Sequence, residues 1–298
     1  MSTASAGLTG HVRPAALPAR VQVRAWLRLF RSELRIVFLR PRNLAMLGVL
    51  AVIPVLLGIV LRINTPTPGS GPPSGAGQFI GQVADNGVFL SLLSIVVLLT
   101  LVLPLAVAVV SGDSVAGEAG LGTLRTLLTV PAGRMRLLLA KYAVIVKFCF
   151  AATVLVAAIG LLMGAILFPV GPVTLLSGDT VSLADGLARL AMIVVYVSCG
   201  LAAFGAIGLA LSTLTQHAIG VMAALLVIAV ASQILDTIQQ VSAIHPYLPT
   251  HYWLMFDALL RTPITWSVIG QGLLSFGIYI VIFAGLAVAR IRTANVTA

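Results

Sequence analysis

Residues 187–211 read LARLAMIVVYVSCGLAAFGAIGLAL, with Arg189 as their one charge. A run of this kind exceeds the ~20 apolar residues that an α-helix needs to cross a hydrocarbon layer of roughly 30 Å. Backbone in such a layer has no water to bond, so a span of this composition has to be helical. Runs of the same character recur at 43–63, 88–112, 142–168, 218–235 and 266–289. Together they predict an all-α polytopic membrane protein with six transmembrane helices. Pro54 and Pro104 fall inside two of the spans, where neighbouring helices can satisfy the freed carbonyls and a kink is tolerated.

Composition leads to the same class. Of 298 residues 59% are hydrophobic and 9% charged, against about 25% charged in a soluble domain. Such a chain cannot supply the polar shell that a water-soluble core of this length requires. The net charge of +10 comes from 18 basic and 8 acidic residues, and eight of the basic ones lie in the first 42 positions. This excess suits an anionic membrane face. It lacks the interleaved aromatics of a single-stranded nucleic-acid groove, so no nucleic acid is expected as a partner. Cys149 and Cys199 sit inside apolar runs and read as packing residues, with neither disulfide nor zinc spacing.

Lysine and arginine concentrate on one side of the expected spans: in the N-terminal segment, in the loop after the second span (Arg125, Arg134, Arg136, Lys141) and at the end (Arg290, Arg292). The positive-inside rule then places both termini in the cytoplasm. Residues 1–19 are expected to form a disordered tail. In 20–42, at 100° per residue, Arg20, Arg24, Arg28, Arg31 and Arg35 share an arc of about 80°. Val23, Trp26, Leu27, Phe30, Leu34 and Val37 occupy an opposite arc of about 100°. This predicts a basic amphipathic helix at the membrane interface, its arginines on lipid phosphates. Glu33 falls at the edge of the apolar arc, where it meets protein or snorkels.

The outer loops differ. Residues 64–77, NTPTPGSGPPSGAG, read as a short flexible connector. Residues 239–264 hold His245, Pro246, Tyr247, Pro249, His251, Tyr252, Trp253 and Phe256. They predict a short, broken helical segment before the last span, lying at the outer interface or re-entering shallowly.

The cytoplasmic loop 113–141 carries the most information. Thr123 offers a helix cap, Leu124, Leu127 and Leu128 recur at helical spacing, and Arg125 stays polar, so 122–130 is expected to be a short amphipathic helix. Pro131 ends it and suits the first turn of the next helix, which carries Arg134, Arg136 and Lys141 into the third span. A short helix held between two spans is a lever by which a second protein can drive the membrane domain.

The run Glu118, Gly122-Thr123-Leu124-Arg125, Leu127-Leu128, Pro131, Arg134 and Lys141 resembles the first cytoplasmic loop of ATP-binding-cassette type-2 exporter permeases, with the pattern E-x-E-x-G-T-L-x-x-L-L-x-x-P-x-x-R followed by a lysine. Gly120 stands where that pattern has its second acidic residue, and Ala119 replaces a common charged neighbour. The resemblance implies a permease subunit of the bacterial inner membrane that works as a homodimer or paired permease. By the same resemblance, Glu118, Gly122, Thr123, Leu124, Arg125, Leu127, Leu128, Pro131 and Arg134 would couple it to a separate ATPase subunit that holds ATP and Mg.

The chain itself is not expected to be an enzyme or to bind a cofactor or metal. A phosphate-binding loop needs G-x-x-x-x-G-K-[ST], and the two lysines, Lys141 and Lys147, are followed by Tyr142 and Phe148. The histidines, His11, His217, His245 and His251, form no H-E-x-x-H pattern, and no nucleophile with an evident base supports intramembrane proteolysis. A transporter driven by an ion gradient, or a membrane scaffold, is the other reading. Ion coupling calls for acidic groups near the bilayer midplane, and the acidic residues here fall near span ends or in loops. Lys147 is expected to snorkel toward the cytoplasmic face. Gln233 and Asp236 approach the outer end of the fifth span. Gln271, Ser275 and Tyr279 line one face of the sixth as pathway or packing residues, and Gly200, Gly205 and Gly208 suggest close helix packing. No charged pocket is visible, which favours a lipophilic or amphiphilic substrate.

Overall fold

The computed structural model describes residues 19–64, 77–83, 85–117 and 134–293, without the side chains of 19–27, 77, 78, 81, 134 and 293. Its elements are helices α1 (Ala19–Leu39), α2 (Pro41–Ile63), α3 (Gly77–Val83), α4 (Val88–Thr100), α5 (Val102–Asp113) and α6 (Arg134–Leu167), followed by a minimal hairpin of β1 (Val173–Thr174) and β2 (Thr180–Val181). Helices α7 (Leu183–Ser212) and α8 (Ala218–Thr237), two 3-10 segments (Gln239–Tyr247 and His251–Leu260) and α9 (Trp266–Thr293) complete the chain.

The break between α1 and α2 is written in Arg40-Pro41. A residue before proline is pushed out of the helical region. Arg40 accordingly takes φ −64° and ψ 128°, and Pro41 opens α2 where its missing N–H costs nothing. At α7 the start is set by Ser182, whose Oγ accepts from the Asp185 backbone N–H at 3.1 Å and donates to the Asp185 carboxylate at 2.8 Å.

Five helices are individually long and apolar enough to cross a membrane: α2, α6, α7, α8 and α9. The sixth span is α4 with α5, bent by 54°. It crosses from one end of the bundle to the other and does not fold back. At its start Gly87 N–H donates to Pro169 O beyond the end of α6. At its finish Gly112 lies against Val221 and Met222 in the first turns of α8.

The sequence reading of a continuous second span kinked at Pro104 is corrected to a break three residues earlier, at Leu101 (φ −143°, ψ −48°). Pro104 has no N–H for the Thr100 carbonyl, and its ring crowds that same oxygen. The Gln233 side-chain amide of α8 donates to Thr100 O at 2.8 Å instead. Gln233 is thus a bond between helices.

Helix α7 lies at the centre, packed by α5, α6, α9 and the second 3-10 segment. Of its apolar window 78% is buried, against 17–22% for α2, α8 and α9. The outer helices therefore present their apolar faces to the surroundings, as lipid-facing helices do. Gly205 and Gly208 let α7 approach its neighbours: added Cβ atoms would run into Ile145 and into the Ser111 side chain. Between α4 and α6 the approach is closer still. A Cβ at Gly87 or at Gly164 would overlap the other residue's carbonyl, and one at Gly160 would come within 2.6 Å of Ser91 Cα.

Two elements were not expected from the sequence. Helix α3 carries Phe79, fully buried between Phe89 and Phe256 with ring centroids 6.4 and 6.5 Å away. The hairpin turns through Gly178 at φ +89° and is fixed by Leu176 N–H donating to Leu260 O at 3.0 Å.

Candidate functional site

All six spans alternate in direction, so the bundle has two chemically distinct ends. The basic end gathers the starts of α2, α6 and α8 and the finishes of α5, α7 and α9, and from it the loop between α5 and α6 departs.

At the root of that loop α5 finishes in Asp113, whose carboxylate pairs with Arg40 at the α1–α2 break and with Arg42 at 3.1 Å. Ser114 Oγ donates to Ser111 O at 2.6 Å and lies 3.4 Å from Ser212 Oγ at the end of α7. At the other root, Lys141 of α6 pairs with Glu33 of α1 at 3.3 Å, both side chains almost wholly buried (4% and 8% exposed). Phe38 of α1 packs on Phe148 of α6, centroids 5.9 Å apart. Both ends of the loop are therefore fastened to α1 and to the α1–α2 junction.

The sequence reading had placed Glu33 against protein or in a snorkel, and protein is what it meets. It counted Lys141 and Asp113 among loop charges and did not pair them. One signal was available: Glu33 is the sole acid in a helix of arginines and sits at the edge of its apolar face. Arg28, Arg31 and Arg35 are exposed along α1, while Arg20 and Arg24 lie outside the described side chains. Glu118, Gly122, Thr123, Leu124, Arg125, Leu127, Leu128 and Pro131 all lie outside the described residues. Arg134 opens α6, its side chain likewise outside the description. Lys147 is exposed on α6.

The opposite end is rich in aromatic and histidine side chains. Trp253 and Phe256 are buried, and Trp253 meets Phe204 edge to face at 5.5 Å. The second 3-10 segment turns these two rings onto α7, while Tyr247 of the first stays exposed. Tyr196 of α7 donates to Tyr252 O at 2.8 Å, and Tyr279 of α9 donates to Tyr247 O. Tyr279 thus ties α9 to the first 3-10 segment, whereas Gln271 is exposed and Ser275 half-buried. His251 Nδ1 lies 2.5 Å and His245 Nδ1 3.8 Å from the same Asp236 oxygen. The sequence left these histidines apart, but the turn at Pro246 and Pro249 returns them to one point. Among the described residues no group of three or more His, Cys, Asp or Glu side chains could hold a metal ion. Cys149 and Cys199 are free thiols.

The acidic residues described, Glu33, Asp85, Asp113, Asp179, Asp185, Asp236 and Asp257, all stand at span ends or between spans. Nothing along the described spans combines a nucleophile with a base. What the arrangement offers is a helical membrane domain with a tethered loop at its basic end.

A family model described as ABC-2 family transporter protein matches residues 39–203, more than half of the chain. The protein belongs to that family. It is a multi-pass membrane permease subunit of an ABC transporter, a class that pairs with an ABC ATPase and is not itself catalytic. No curated protein matches the sequence.

Proposed function

We propose that the chain is the permease subunit of an ATP-driven exporter and that segment 122–130 docks into a separate ATPase subunit, where ATP and Mg are held. The observation that carries this reading is the fastening of both loop roots. Asp113 is held by Arg40 and Arg42, and Lys141 by Glu33. A push on the loop therefore reaches α1, α2, α5 and α6 together, which is what transmission from a soluble motor requires. The basic end and both termini face the cytoplasm of a bacterial inner membrane, in keeping with the charge asymmetry. Two permeases pair to complete the pathway. The cargo is lipophilic or amphiphilic, a reading supported by spans that carry no charge at mid-depth.

The ion-gradient alternative would place carboxylates near the bilayer midplane, and the described acids all stand elsewhere. The test is Leu128→Asp, assayed by co-purification with its partner ATPase subunit and by substrate-stimulated ATP hydrolysis. A leucine lost from a packed contact costs about 2 to 5 kcal/mol, so both readouts should collapse while membrane insertion persists. Arg125→Gln should change them little, since exposed ion pairs contribute about 0 to 1 kcal/mol. Full co-purification and full stimulation in the Leu128 variant would remove the coupling role from this loop.

A further inference from the structure

Between α1, α2, α5 and α6 the fold leaves an open cleft whose polar lining includes Glu33, Arg40, Arg42, Asn43, Asp113 and Lys141. Glu33 and Lys141 neutralise each other at 3.3 Å. Asp113 is shared by two guanidinium groups, so these residues leave the cleft one positive charge in excess. Both arginine side chains are about half open to an incoming ligand, 40% and 48% exposed.

Asn43 supplies a second and independent pointer. It is 2% exposed, and its Nδ2 donates to Val37 O at 2.8 Å, yet its Oδ1 is buried and accepts from no group among the described residues. Buried acceptors are ordinarily satisfied, so an oxygen left in this way in the wall of a cleft asks for a donor from outside. Ile36, 46% exposed, is part of the cleft wall, and Leu39 and Leu44, 60% and 48% exposed, directly adjoin its lining residues Arg40 and Asn43 along the chain. The surface thus combines an excess positive charge, one acceptor and an adjoining apolar rim.

We propose that the cleft binds the headgroup of a phospholipid of the phosphatidylglycerol class. The phosphodiester sits on Arg42 and Arg40, a glycerol hydroxyl donates to Asn43 Oδ1, and the acyl chains cover the apolar rim. A zwitterionic choline headgroup has no net charge to match the excess and no hydrogen to donate. Free phosphate has nothing to place on Ile36, Leu39 and Leu44. Guanidinium groups suit this ligand because they bind phosphate oxygens through paired N–H donors. The bound lipid would staple the Arg40-Pro41 break to the end of α5. The site requires neither an ATPase partner nor a direction of transport.

The test uses the full chain in neutral detergent and measures binding by native mass spectrometry and by thermal shift. The probes are dioctanoyl phosphatidylglycerol, dioctanoyl phosphatidylmethanol, dioctanoyl phosphatidylcholine and inorganic phosphate. Phosphatidylglycerol should saturate and bind tightest. Phosphatidylmethanol, with the same charge but no hydroxyl, should be weaker. Phosphatidylcholine and inorganic phosphate should compete poorly. These comparisons need no variant, so they stand even if a substitution unfolds the protein. Arg42→Gln should weaken phosphatidylglycerol about tenfold, equivalent to about 1.4 kcal/mol. Arg62→Gln, exposed in the last turn of α2 at the opposite end of the bundle, should leave it unchanged. Asn43→Leu should abolish the preference over phosphatidylmethanol. Equal binding of phosphatidylglycerol and phosphatidylcholine, competition by inorganic phosphate at equal strength, no preference over phosphatidylmethanol, or undiminished binding by Arg42→Gln would each overturn the proposal.

Discussion

At the scale of single residues, Glu33 decides how α1 is held. Its carboxylate and the Lys141 ammonium are both removed from solvent and lie 3.3 Å apart, so each offsets the other's charge. Removing one member of a buried pair leaves the other charge uncompensated, at a cost of about 3–5 kcal/mol, whereas replacing both with apolar groups is often nearly neutral. Glu33→Gln should therefore destabilise the detergent-purified protein by that order, and Glu33→Gln with Lys141→Met should recover much of the loss. A thermal-unfolding double-mutant cycle measures the coupling. Additive single effects would mean that the two groups do not depend on each other.

At the scale of elements, two contacts set how helices approach. The break in the second span leaves the Thr100 carbonyl to Gln233. Interhelical hydrogen bonds of this kind average about 0.6 kcal/mol and reach about 1.7, so Gln233→Leu should lower stability by roughly 1 kcal/mol without altering insertion. The α4–α6 contact is less forgiving. Gly164→Ala places a methyl group on the Gly87 carbonyl, and overpacking of this sort costs about 1–3 kcal/mol. Gly270→Ala on α9 meets nothing within 4 Å and should be neutral or slightly stabilising, because alanine favours helix by about 1 kcal/mol over glycine. Comparing the melting temperatures of the two variants separates close packing from helix propensity. An equal response from both would mean that α4 and α6 do not touch through these glycines.

For the whole molecule, six alternating spans put the α5–α6 loop at the same end as the start of α2 and the finish of α9. Reporter fusions after Gly75 and after Gly133 should then report opposite sides of the membrane, with the second on the cytoplasmic side. The same side for both would contradict a second span that crosses through its bend.

The spans were legible in the sequence because lipid imposes one answer on an apolar run of sufficient length, whatever surrounds it. The α1–α2 break at Arg40-Pro41 was missed, the amphipathic helix being expected to run to residue 42, although proline acts on its own neighbours. Position in the bundle was not legible: α7 and α8 are similarly apolar, yet α7 is central and α8 peripheral, a choice made by which glycine-bearing faces fit together. Nor did the sequence place Glu33 on Lys141, Asp113 on two arginines, or Gln233 on Thr100. These partners lie 108, 73 and 133 residues apart, and periodicity along one helix says nothing about which side chain of another will face it. Local steric and solvation rules thus fixed where the spans lie. Tertiary packing alone decided which charges meet, and so where the cleft and the anchored roots of the loop lie.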